Sequence, residues 1–162
     1  MTRTSFALAA FCALSQPAFA DPALQINQVK AFETAPSAMA GGGFMEITNT
    51  GDSDDKLIGV LADFPRVEIH TTEFNSEGVA RMVHLEDGIS IPAGETVTLA
   101  PGGQHVMFMG LRDAPFVAGE TVDATLIFEV SGEVPISFDI VTRDIDGHDH
   151  SGHDDHSGHD GH

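Results

Sequence analysis

Between residues 21 and 143 the chain consists of short runs rich in Val, Ile, Thr and Phe, and turn formers break them at close intervals. The runs are 25–32, 43–49, 55–62, 66–72, 79–84, 96–99, 104–110, 121–129 and 133–141. Between them lie Asn49-Thr50-Gly51-Asp52, Asn75-Ser76-Glu77-Gly78, Pro92-Ala93-Gly94, Pro101-Gly102-Gly103, Val117-Ala118-Gly119 and Ser131-Gly132. Turn signals roughly every 8–12 residues between β-branched runs predict an antiparallel sandwich or barrel. No longer window of the body keeps the 3.6-residue period of an amphipathic helix. The body is therefore expected to be all-β.

Composition sets the two ends apart from this body. Residues 1–20 read MTRTSFALAAFCALSQPAFA, with Arg3, an apolar stretch from Phe6 to Leu14, and the small-x-small sequence Ala18-Phe19-Ala20. That order predicts a cleavable signal peptide and export to the periplasm, with Asp21 as the first mature residue. The apolar stretch is too short to span a bilayer, which needs about 20 residues, and no later stretch is long enough for stable membrane insertion. Cys12 lies inside the signal. Phe11 before it puts a ring where lipid attachment wants a small residue, so cleavage after Ala20 is expected instead. The mature chain then has no cysteine, which excludes thiol nucleophiles, disulfides and thiolate metal sites together. At the other end, residues 144–162 hold six His and six Asp and nothing apolar except Ile145. Such a segment buries too little to offset its ordering entropy and is expected to be a disordered tail. Three domains follow: the signal 1–20, a β-sandwich 21–143 and the tail 144–162.

Charge narrows the function. The chain has 7 Lys and Arg against 25 Asp and Glu, a formal charge of −18. A surface so acidic repels phosphate backbones and anionic lipid, which excludes nucleic acid as a partner. The His and Met residues are what remains to explain. Alternation puts His105, Met107 and Met109 on one face of their strand, with Val106 and Phe108 on the other. His105 and Met107 are then about 6.6 Å apart at Cα. His70 falls on the polar side of its strand, and the turn at 75–78 folds the next strand back so that Met82 approaches it. Thioether sulfur is soft and neutral and selects Cu(I), and imidazole binds copper in either oxidation state. Zn²⁺ seldom takes Met, and Ca²⁺ wants oxygen. A blue-copper site requires a cysteine. Spacing leaves the ordinary readings open: Met is a common core filler, and a His near a strand end is commonly a surface residue. Met45 and Met109 are expected in the core, and His84 on the surface or beside the site.

The stretch from Val67 to Leu111, VEIHTTEFNSEGVARMVHLEDGISIPAGETVTLAPGGQHVMFMGL, resembles the signature of the PCu(A)C periplasmic copper chaperones. V-E-I-H, G-V-x-x-M, I-P-A-G and P-G-G-x-H-V-M-x-x-G-L occur in order, and Gly43 to Gly51 is similar to an early strand of that family. The resemblance implies a cupredoxin-like Greek-key β-sandwich that binds one Cu(I) through His70, Met82, His105 and Met107. It also implies a non-enzymatic carrier that delivers copper to the copper-bearing subunit of cytochrome c oxidase or to a Sco-type protein. The chain departs from the pattern at Thr71, Thr72 and Ala80, where relatives often carry Met. The 22 residues between Met82 and His105 are also about one more than usual.

The tail is a second metal candidate. His148, His150, His153, His156, His159 and His162 recur with Asp between them, a donor set that suits Cu(II), Zn²⁺ or Ni²⁺. A copper or zinc buffer for metal tolerance, with no dedicated acceptor, is the alternative to a chaperone. A superoxide dismutase or copper oxidase needs more His in the body than His70, His84 and His105. A purely structural sandwich leaves the His105-x-Met107 pair and the tail unexplained.

Overall fold

The computed structural model describes residues 24–143. The expectations for the signal, for Cys12 and for the six tail histidines lie outside that range. Ten strands follow in chain order: β1 (Leu24–Phe32), β2 (Ala40–Asn49), β3 (Asp55–Ala62), β4 (Arg66–Phe74), β5 (Ala80–His84), β6 (Ile89–Ile91), β7 (Thr96–Leu99), β8 (His105–Met109), β9 (Thr121–Phe128) and β10 (Gly132–Val141). One 3₁₀ turn, Leu111–Asp113, is the only helical element among the described residues. No described helix is long and apolar enough to cross a membrane.

Hydrogen bonding joins the strands in the order β5-β4-β8-β2-β1-β10-β9-β3-β6, and β7 pairs with the second half of β2. All pairs are antiparallel except β1 with β10, where the ends of the described body meet in parallel register. This path closes over one core as the Greek-key sandwich expected from the sequence. Residues from both ends of the path, Ile69 and Val106 at one and Leu57 and Ile91 at the other, belong to the same buried cluster. With no Trp or Tyr in the chain, the centre is built from Phe. The rings of Phe64, Phe108, Phe116 and Phe138 meet edge to face at 5.4–5.8 Å, an arrangement that sets ring edges against ring faces.

Two differences from the expected strands have local causes. β2 begins at Ala40, three residues early, because Gly41 and Gly43 leave room for core rings. A Cβ on Gly41 would stand 2.6 Å from Phe116, and one on Gly43 2.6 Å from Phe138. β6 was not anticipated. It is only three residues long, between Gly88 and Pro92, too short to display a period, and its pairing with β3 creates it.

Buried polar side chains tie this wall together. Asn49 donates to the carbonyls of Ser53 and Ile91 and accepts from the Gly51 N–H. Asp55 accepts N–H bonds from Lys56 at 2.7 Å and from Val130 and Ser131 at 3.0 Å. Burial works against the Asp55 carboxylate, but these bonds and the Ser131 side chain outweigh it and hold its pKa below the ordinary value.

Candidate metal centre

The hairpin between β4 and β5 is set by Asn75. Its side-chain oxygen accepts from the Glu77 and Val79 N–H groups at 3.0 and 2.8 Å, and Gly78 takes the left-handed conformation the turn requires. An Asx turn of this kind fixes the register of the strands it joins. His84 then lies directly across from His70, and Met82 across from Thr72. On the other edge of β4, His105 of β8 faces His70, and Met107 faces Glu68. Alternation sends Ile69, Val106 and Phe108 into the core, while the His and Met side chains share the opposite face.

Three of the four candidate ligands, Met82, His105 and Met107, line one cavity of about 450 Å³, together with Phe44, Thr72 and Arg143. His70 is not among its lining residues. Its ring lies 6.1 Å from that of His105, centroid to centroid. His105 is only 4% exposed, with the Phe44 ring 6.3 Å away on its β2 side. Met82 is 55% exposed, so the set runs from a buried nitrogen to an accessible sulfur. Met45 is buried as expected, and Met109 is half-buried.

The tautomers follow from the partners. The Gly103 carbonyl, 3.0 Å from His105 Nδ1, can only accept, so Nδ1 carries the proton. The Glu68 carboxylate, 2.9 Å from His70 Nε2, does the same for that nitrogen. Hydrogen bonding from His70 is the main reason the Glu68 carboxyl is held below its usual pKa, and the nearby His84 and Arg66 act in the same sense against burial. What remains are His70 Nδ1 and His105 Nε2, both buried and both without a hydrogen-bond partner. Buried polar atoms are nearly always satisfied, and leaving one open costs about 1–3 kcal/mol. An imidazole that donates one nitrogen to a carbonyl or carboxylate and presents the other lone pair is the arrangement found at metal-binding histidines.

The remaining donors decide which ion fits. Among the described residues no three His, Cys, Asp or Glu side chains gather closely enough to hold an ion. The soft donors beside His105 on the cavity wall are the thioethers of Met82 and Met107; the one carboxylate on that lining is Glu33. Two imidazoles with two thioethers suit a soft, singly charged ion and suit Zn²⁺ or Ca²⁺ poorly. Two features of the site were not anticipated from the sequence. One is the Glu68 bond to His70. The other is the stacking of His84 on His70, with centroids 5.6 Å apart and planes at 29°. The second was readable in principle, because His70 and His84 are equally far from Glu77 at the centre of the turn.

Comparison with known proteins gives three results. Residues 24–140 match the family described as "Putative lipoprotein LpqE-like". The chain is 33% identical over 141 residues to "Putative lipoprotein Lxx21020" of Leifsonia xyli subsp. xyli, spanning 84% of this chain and 82% of that one. Among solved structures it is similar to the copper-bound PCuAC domain from PmoF2, with 28% identity and a TM-score of 0.61 over 77% of this chain and 97% of that domain. It is also similar to the Cu(I) form of DR1885 from Deinococcus radiodurans, with 30% identity and a TM-score of 0.59 over 81% and 85% of the two chains.

Proposed function

The chain belongs to the LpqE-like family, and from that premise we propose that it is an exported copper carrier that holds Cu(I) at His70, Met82, His105 and Met107. The observation that carries this reading is the pair of open nitrogens. His70 Nδ1 and His105 Nε2 are buried without partners, and each ring is fixed in the tautomer that presents a lone pair. The copper-bound domain and the Cu(I) protein among the similar structures support the same cargo.

The donor set also suits release. All four ligands are neutral, so the bound ion keeps its charge and no counter-charge must be separated when it leaves. Met82, the exposed member, is the ligand most easily lost as the ion begins to leave. Stepwise exchange of this kind transfers an ion without any bond-making catalysis, which makes the chain a carrier and not an enzyme. The acceptor we propose is the copper-bearing subunit of cytochrome c oxidase or a Sco-type protein. The tail histidines His148, His150, His153, His156, His159 and His162 supply a separate site for Cu(II). Arg143, the last described residue, lines the same cavity as the thioethers.

X-ray absorption on protein loaded with one equivalent of Cu(I) tests the site. Two sulfur and two nitrogen scatterers are expected, and a shell without sulfur would refute the assignment. Transfer of Cu(I) to the purified apo oxidase domain separates a chaperone from a buffer. Deleting 144–162 is expected to lower copper stoichiometry while leaving the Cu(I) site intact. Export is supported by the lipoprotein descriptions of the family and its relative. The mass of the mature N-terminus decides between cleavage before Asp21 and lipid attachment at Cys12.

A further inference from the structure

His84 is the one imidazole of the described body that the proposed Cu(I) site does not use. Register sets it across from His70 on one side of β4, as His105 is on the other, so three imidazoles form a single row over β5, β4 and β8. Successive centroids are 5.6 and 6.1 Å apart. The row is graded in access: His84 is exposed, the His70 side chain is 13% exposed, and His105 is 4% exposed. It also joins two hollows. His84 lines an open depression with Glu68 and Glu86, while His105 lines the cavity that holds the thioethers. His70 lines neither and stands between them. The two carboxylates raise the local concentration of cations at the outer hollow. His84 does not complete a fixed three-nitrogen site, since no such group exists among the described residues.

We propose that His84 is the outer exchange ligand of the copper site, the first group to take the ion from solvent and the last to release it. In the inward step a Cu–N bond to His84 breaks as one to His105 Nε2 forms, with His70 Nδ1 as the shared ligand. The ion stays Cu(I), no electron moves, and outward transfer is the reverse. His84 can act in this way only if the His/Met cluster binds Cu(I) as proposed above.

The test uses the full chain loaded anaerobically with one equivalent of Cu(I). Stopped-flow absorbance follows withdrawal of the ion by excess bathocuproine disulfonate, and equilibrium competition with the same chelator gives affinity. H84A removes the ring, H84F keeps a ring against His70 without a nitrogen, and H84M restores a copper donor. Affinity is expected to stay within about twofold of wild type in all three. Withdrawal is expected to slow about tenfold in H84A and H84F and to remain near wild type in H84M. Wild-type rates in H84F would reduce His84 to a stacking partner and overturn the proposal. So would an affinity loss in H84A and H84F with faster withdrawal, which would make His84 a resident ligand. H105A is the separate control. If its Cu(I) affinity equals that of wild type, the His/Met cluster is not the Cu(I) site and the reading on which this proposal rests falls.

Discussion

The two ends of β2 present buried polar side chains in opposite conditions. At its C-terminal end Asn49 and, just beyond, Asp55 are buried with their hydrogen-bonding groups engaged by named partners. Near its N-terminal half, β8 brings in His105, equally hidden, and beside it the half-buried His70, and each keeps one buried nitrogen open. The first pair closes the wall between β2, β3, β6 and the β9–β10 turn and leaves no buried side-chain atom without a partner. The second pair gives up stability, on the order of 1–3 kcal/mol for each open atom, for which the fold itself gains nothing. Polar burial that is satisfied holds a structure together; polar burial left open on fixed rings is a site waiting for a ligand.

This contrast predicts that the two ends fail in different assays. The largest effect is expected at the satisfied end. Asp55→Ala strands the N–H groups of Lys56, Val130 and Ser131 and should cost about 3 kcal/mol of stability, read from the urea midpoint. Its Cu(I) affinity should be unchanged. A loss of copper without a loss of stability would erase the distinction.

His105→Leu is the converse. It removes one open nitrogen and fills the space with an apolar side chain, so stability should change by less than about 1 kcal/mol in the copper-free protein. Cu(I) affinity should fall about a hundredfold, the equivalent of about 2.7 kcal/mol, in competition against a chelator. A copper-free variant that unfolds would mean that His105 is a structural residue like Asp55.

How much of this contrast the sequence displayed depends on what each feature rests on. Strand identity rests on local pattern, and nine runs are strands within a few residues of where alternation puts them. Alternation also separates Val106 and Phe108 from His105 and Met107 correctly. β6 was missed because three residues carry no period and the register with β3 makes the strand. The burial of His105 comes from Phe44 on another strand, and its tautomer from Gly103 two residues back. Neither is local in the sense that a pattern records. It is the family resemblance that joins His70, Met82, His105 and Met107 into one set; spacing alone leaves all four open. The engagement of Asp55 was invisible, because its partners Val130 and Ser131 are far along the chain.

The thioethers sharpen the comparison further, because they tune the open end without supporting either. Met82→Leu and Met107→Leu keep volume and apolar character, and such exchanges cost little stability. Each should weaken Cu(I) binding about tenfold, and the double variant should shift preference from Cu(I) towards Cu(II), which imidazole serves without sulfur. Affinities for both oxidation states, measured side by side, check this. Equal loss for both ions would mean that sulfur sets strength and not selectivity.

The smallest expected effect lies in the pH dependence of the satisfied end. The folded pKa of Asp55 is held below its ordinary value by the bonds from Ser131, Val130 and Lys56, in spite of burial. A depressed carboxylate stabilises the fold above its unfolded pKa, about 3.9, and the contribution is lost as pH falls through the folded value. The stability difference between wild type and Asp55→Asn should therefore be constant from neutrality down to about pH 5 and should narrow below about pH 4. Comparing the pair cancels the many other carboxylates that titrate in the same window. If the difference holds constant into strong acid, the bonds to Asp55 act through shape alone and its charge contributes nothing. The satisfied end would then differ from the His70 and His105 end only in having its hydrogen bonds filled, and not in carrying a charge that those bonds stabilise.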